Sequence, residues 1–162
     1  GLTYGATYGD IQIAAAAQYA NLGTDNSTSA LSTKTHGSNQ YGVGLALKHS
    51  SGLSAGAHYG AEGGASDAAN SIDGSSWGIE AGYVTSAVSN LGSTAFSVVY
   101  TEADDTETND FEAESVSFHV KQSMPAGVAV YASYENASFE DNNAGTALED
   151  LSVFLVGTKL SF

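Results

Sequence analysis

The chain has no cysteine, no arginine, one proline and no long apolar run. Without cysteine there is no disulfide, no thiol nucleophile and no thiolate metal ligand. Cations are scarce too: four lysines face 18 acidic residues, for a net charge of −14. That supply cannot neutralise a row of phosphates, so nucleic acid is excluded as a partner class. It suits attraction of cations and a well-hydrated exterior. No segment approaches the ~18 consecutive apolar residues of a membrane helix, which excludes helical spans only. Spanning β-strands need just ~9–11 alternating residues. The chain opens on Gly1, with neither Met nor a charged-then-apolar leader. It is expected to be a mature chain, a processed product or a fragment. Its 162 residues set a prior of one domain.

What is present is period-two alternation, 19 glycines and nine tyrosines. Nine stretches alternate and read as strands: residues 2–8, 11–22, 41–49, 53–61, 77–83, 94–101, 115–123, 128–134 and 151–162. The alanine run inside 11–22 has helical propensity. Its neighbours Ile11, Ile13, Gln18 and Tyr19 keep period two, and Gly9-Asp10 before it is a hairpin turn, so it reads as strand. Ser51-Gly52 is a second tight turn, and Pro125-Ala-Gly127 places the only proline where no ladder N–H is needed. Polar loops are expected at 23–40 and 62–75, an acidic loop at 102–114, and a last polar loop near 140–150. Connections then alternate short and long, the rhythm of short periplasmic turns and long outer loops in a membrane barrel.

One side of every strand carries Leu, Ile, Val, Phe, Tyr, Trp or Ala. The other carries mostly Gly, Ala, Ser and Thr. Aromatic residues (Tyr4, Tyr8, Tyr19, Tyr41, Tyr59, Trp77, Tyr83, Tyr100, Tyr134 and Phe162) collect at the strand ends, where amphipathic rings suit a headgroup layer. A soluble sandwich would cover such an apolar side with a second sheet. An antiparallel transmembrane β-barrel would face it to lipid and the small polar side to a water-filled lumen. Small inward residues fill a narrow eight-stranded interior poorly and fit a wide lumen. Nine antiparallel strands cannot close on themselves, because the first and the ninth run the same way. Either the chain is part of a larger even-stranded barrel, or residues 1–8 do not span and eight strands close from residue 11. The second arrangement would serve adhesion or membrane structure.

The final stretch contains Gly157-Thr-Lys-Leu160-Ser-Phe162. It resembles the outer-membrane assembly signal of glycine, two residues, a hydrophobic residue, one residue and a terminal aromatic. Leu155 departs from that pattern, which usually has a polar residue there. Repeats of Tyr-Gly and Gly-x-Gly before Ser-Gly or Gly-Asp turns add to the likeness. The whole chain resembles the C-terminal half of the general porins of Gram-negative bacteria, of the alphaproteobacterial type. That resemblance implies a homotrimer of 16-stranded barrels in the outer membrane, in contact with lipid and lipopolysaccharide. It also implies insertion by the barrel-assembly machinery through Gly157, Leu160 and Phe162, and passive diffusion of ions and small hydrophilic solutes. The constriction loop of such porins belongs to the other half of the barrel.

The ionisable residues expected on the lumen side are Lys48, His58, Glu80, His119, Lys121 and Lys159, which would set the field along a pore. His119 and Lys121 share one strand face, and Lys159 lies two strands on. The carboxylate-rich loops predict an acidic outer mouth and a mild cation preference. Glu102, Asp104, Asp105 and Glu107 supply oxygen ligands for weak Ca²⁺ or Mg²⁺ binding in an outer loop, without the EF-hand glycine or twelfth-position glutamate. No other cofactor is expected. The four histidines have no metal-ligand spacing, and no local signature supports a Ser-His-Asp arrangement. A non-enzymatic role is therefore expected.

Overall fold

Alternating aromatic and β-branched residues punctuated by glycine turns make strands of most of the described residues. The computed structural model describes residues 1–21, 35–36, 39–63, 71–72, 74–86, 88, 90–105, 111–141 and 148–161. Its strands are β1 (Leu2–Tyr8), β2 (Ile11–Asn21), β3 (Thr35–His36), β4 (Asn39–His49), β5 (Leu53–Gly63), β6 (Ser71–Ile72), β7 (Ser75–Thr85), β8 (Thr94–Asp104), β9 (Phe111–Ser123), β10 (Val128–Asp141) and β11 (Leu151–Leu160). The nine expected strands form one antiparallel sheet in the order β1-β2-β4-β5-β7-β8-β9-β10-β11. The short β3 and β6 pair in parallel as a separate two-stranded sheet. The alanine run lies in β2, paired residue by residue with β1 and β4.

Each strand of the main sheet is antiparallel to the next, so β1 and β11 run in the same direction. Among the described residues β1 pairs only with β2 and β11 only with β10, and the sheet does not close. Both edges of β2 are occupied, which removes the closure of β2 against β11 that an eight-stranded barrel requires.

The strands outrun their expected limits at the long-loop end. The stretch 102–114, expected as a loop, is largely ladder: Glu102 pairs with Glu114, Ala103 with Ala113 and Asp104 with Glu112. The Asp105 N–H then donates to the Phe111 carbonyl at 2.7 Å. Ladder bonds use only backbone groups, so hydrated carboxylates do not end a strand. The link at 105–110 is consequently shorter than that at 86–93, which departs from the expected rhythm.

The turns need left-handed backbone where glycine is found. Gly52 has φ 96°. Its carbonyl accepts from the Val84 N–H at 3.0 Å, and its own N–H donates to the His49 carbonyl at 3.0 Å. A Cβ at Gly52 would overlap the Val84 carbonyl. Gly127, beside the only proline, has φ 74° and accepts from the Ser161 N–H at 2.9 Å.

The described residues form no conventional core. Among the described residues the buried apolar side chains are Ala129 and Ala137, while Leu2 is 78% exposed and Phe154 71%. Most of the large apolar residues lie on one sheet face, and none of the described residues covers it.

Candidate functional site: a two-faced wall

Registers put the apolar sets of the main-sheet strands β1 to β10 on one face, shared on β11 by Phe154, Val156 and Leu160, while Leu151, Val153 and Leu155 stand exposed on the other. A single row of paired residues crosses all nine strands as Ala6, Ile13, Leu47, Ala55, Ala81, Val98, Phe118, Tyr134 and Phe154. An exposed apolar surface this continuous far exceeds the few hundred Å² usual for a water-soluble monomer.

Polar rows bound this face. At the short-turn end Thr94 donates through Oγ1 to Gln122 Oε1 at 2.6 Å. At the other end Glu102 pairs with Glu114 and Asp104 with Glu112. Aromatic rings mark the long-loop border, and their level steps across the sheet. Tyr19 pairs with Tyr41, and Tyr59 with Trp77 one row nearer the short turns. Tyr100 lies one row further on, and Tyr134 pairs with Phe154 one row beyond that. Neighbouring rings touch, with centroids 6.3 Å apart for Tyr41 and Tyr59 and 5.2 Å for Trp77 and Tyr100. The hydroxyls reach toward the long loops. Tyr19 donates to Asn39 Oδ1 at 2.8 Å and Tyr100 to Glu102 Oε2 at 2.9 Å. The border thus falls by three rows between β2 and β11. With ~3.3 Å per residue and ~4.8 Å between strands, that slope corresponds to strands tilted by about 30°.

The opposite face carries the small residues, and all six ionisable residues expected on it are there and exposed. Lys48 sits between Gln12 and Ser54, and His119 between Ser97 and Ser133. Lys121 pairs with Tyr131 and Lys159 with Ala129. His58 pairs with Gly78 and Glu80 with Gly56. Those glycines leave room for the larger partner: a Cβ at Gly56 would lie 2.7 Å from Glu80 Oε1, and one at Gly78 would lie 2.5 Å from His58 Cε1. Long side chains therefore lie flat on the wall instead of projecting from it. The six fall into two groups, one on β4, β5 and β7 and one on β9 and β11.

Glu135 and Tyr131 share this face and were missed as wall residues. The alternation of Ala129, Tyr131, Ser133 and Glu135 opposite the outward Val130, Ala132 and Tyr134 carried the signal. For Glu135 it was cut short because β10 was expected to end at residue 134, whereas Tyr131 lay inside the expected strand and its alternation with Val130 and Ala132 already placed it here.

Of the assembly-signal residues, Leu160 is exposed on the apolar face opposite Val128, and Phe162 lies outside the described residues. Gly157 is on the small-residue face, directly under the Tyr131 ring. Leu155, the departure from the pattern, is on that same face opposite Ser133. Gly157→Ala pushes the exposed end of the ring aside, and we expect it to destabilise the folded protein by about 1 kcal/mol or less. Combined with Tyr131→Ala, the cost should shrink, with a coupling of at least ~0.5 kcal/mol in a double-mutant cycle of urea unfolding. Additive effects would refute the pairing.

The metal candidates are differently placed from the loop expected. Glu102 and Asp104 project from β8 on the apolar face, Asp105 is in the link, and Glu107 lies outside the described residues. Among the described residues no three His, Cys, Asp or Glu side chains form a group that could hold a metal ion. Compared with family models, curated proteins and solved structures, the chain matches none.

Proposed function

We propose that the chain forms the wall of a β-barrel porin in a bacterial outer membrane, passing ions and small hydrophilic solutes by diffusion. One observation carries this reading: a single exposed apolar band, edged by polar rows and a stepped aromatic border, backed by a face of small and polar residues. On β8 the band runs from Thr94 to Glu102, and on β9 from Gln122 to Glu114. Each interval is about 26 Å of strand. Tilted by about 30°, it projects to about 23 Å, against the ~25 Å apolar height of outer-membrane barrels.

The small-residue face then lines water, with Lys48, His58, Glu80, His119, Lys121 and Lys159 along it. Closure requires strands beyond these nine, consistent with a 16-stranded barrel in a homotrimer. Gly157, Leu160 and Phe162 act as the address for barrel assembly. The carboxylates beyond the aromatic border give a mild cation preference. They also offer oxygen ligands through which Ca²⁺ or Mg²⁺ would bridge Glu102, Asp104, Asp105 and Glu107 to anionic lipopolysaccharide. In planar bilayers the purified native protein should give stepwise conductance, with a reversal potential in a KCl gradient of the sign for K⁺ over Cl⁻. Folded protein that inserts without any stepwise current would sink the channel.

A further inference from the structure

Charge on the small-residue face is sorted by height. The chain's only cationic residue types are four lysines and four histidines. Among the described residues all three lysines lie on this face, and all three lie at the short-turn end. Lys48 is two residues before the turn at 50–52, and Lys121 four before the 3₁₀ turn at Pro125–Gly127. Lys159 pairs with Ala129, just past that same turn. The registers place the three in successive, lower rows from β4 to β11. The stagger of tilted strands, nearly one residue per strand, brings them back to about one level. One carboxylate, Asp10, sits at the rim itself, in the turn before β2, where it accepts from Ser50 Oγ at 2.9 Å. The carboxylates borne by the strands of this face lie further in. Glu80 is five residues inside Thr85, where β7 meets its turn, and Glu135 is seven past Val128. Glu62 is at the far end of β5.

We infer that Lys48, Lys121 and Lys159 form a basic collar at the short-turn mouth of the channel. Facing the carboxylates beyond it, the collar makes conduction directional. The inference rests on the channel reading above. The collar concentrates small anions at one mouth, and the acidic end concentrates cations at the other. When the voltage drives cations in from the acidic end and anions in from the collar, both carriers accumulate and current is high. The opposite polarity depletes both. At 0.1 M salt, where the Debye length is about 10 Å, wall charges reach well into the pore. At 1 M it is about 3 Å and they do not.

The test is single-channel recording of the native protein at both polarities. In 0.1 M KCl each channel should pass about twofold more current in one direction, with the ratio collapsing toward one in 1 M KCl. Lys48→Gln, Lys121→Gln and Lys159→Gln together should abolish the asymmetry and increase the preference for K⁺ over Cl⁻. The corresponding triple Lys→Arg variant should keep both properties. Inorganic phosphate added to one side should reduce chloride current more than when added to the other, and only while the lysines are present. Open channels that are ohmic in 0.1 M KCl overturn the collar and leave the channel standing. So does asymmetry that survives the Gln variant. Absence of any conductance overturns the channel reading and the collar with it.

Discussion

Arginine in place of Val98 is expected to destabilise the folded, membrane-inserted protein by about 2–4 kcal/mol, the cost of a cation near the middle of a lipid-facing band. Arginine in place of Ser97, one residue earlier, is expected to cost within about 0.5 kcal/mol, as for an ordinary wetted surface site. Adjacent strand residues point to opposite faces. Val98 lies between Ala81 and Phe118 in the middle row of the apolar face, with Thr94 and Glu102 equidistant along β8. Ser97 lies between Gly82 and His119 on the other face, with glycine leaving space for a long side chain. Urea unfolding from lipid bilayers, followed by the fluorescence of the single Trp77, gives both numbers. Equal costs at the two positions would mean that both faces meet the same solvent, and the membrane reading would fall. The midplane value also depends on depth: arginine at Glu102, on the band's edge, should cost about 0–1 kcal/mol.

The second large effect belongs to a turn. Gly52→Val is expected to cost about 3 kcal/mol or more and to lower the yield of folded protein. A β-branched residue at φ 96° is strained by about 1–3 kcal/mol. Its Cβ also displaces the Val84 carbonyl, loosening the bond from the Val84 N–H to the Gly52 carbonyl, worth about 1 kcal/mol. Gly9→Asn makes the control. Gly9 has φ 58°, within the left-handed region that asparagine tolerates, and no neighbouring atom stands in the way of a side chain. We expect a change under about 1 kcal/mol there. The same unfolding assay applies, and a Gly52→Val protein as stable as the parent would show that the turn relaxes without cost.

The sequence by itself determined the strands and their faces. Period two is local, so Tyr41, Val43, Leu45 and Leu47 declare one side of β4 whatever lies next to it. Turn chemistry is local as well: Gly9-Asp10, Ser51-Gly52 and Pro125-Ala-Gly127 mark their hairpins because few residues tolerate those backbone angles. Strand ends were less legible. Glu102, Asp104, Glu112 and Glu114 look like loop residues by charge, yet backbone pairing carries them into the ladder. What only the tertiary structure decided is register. The stepped border from Tyr19 to Phe154, the Tyr131 ring over Gly157, and the levelling of Lys48, Lys121 and Lys159 are relations between strands. They depend on which residue stands opposite which, and hydrogen bonding across the sheet sets that relation where alternation along one strand does not.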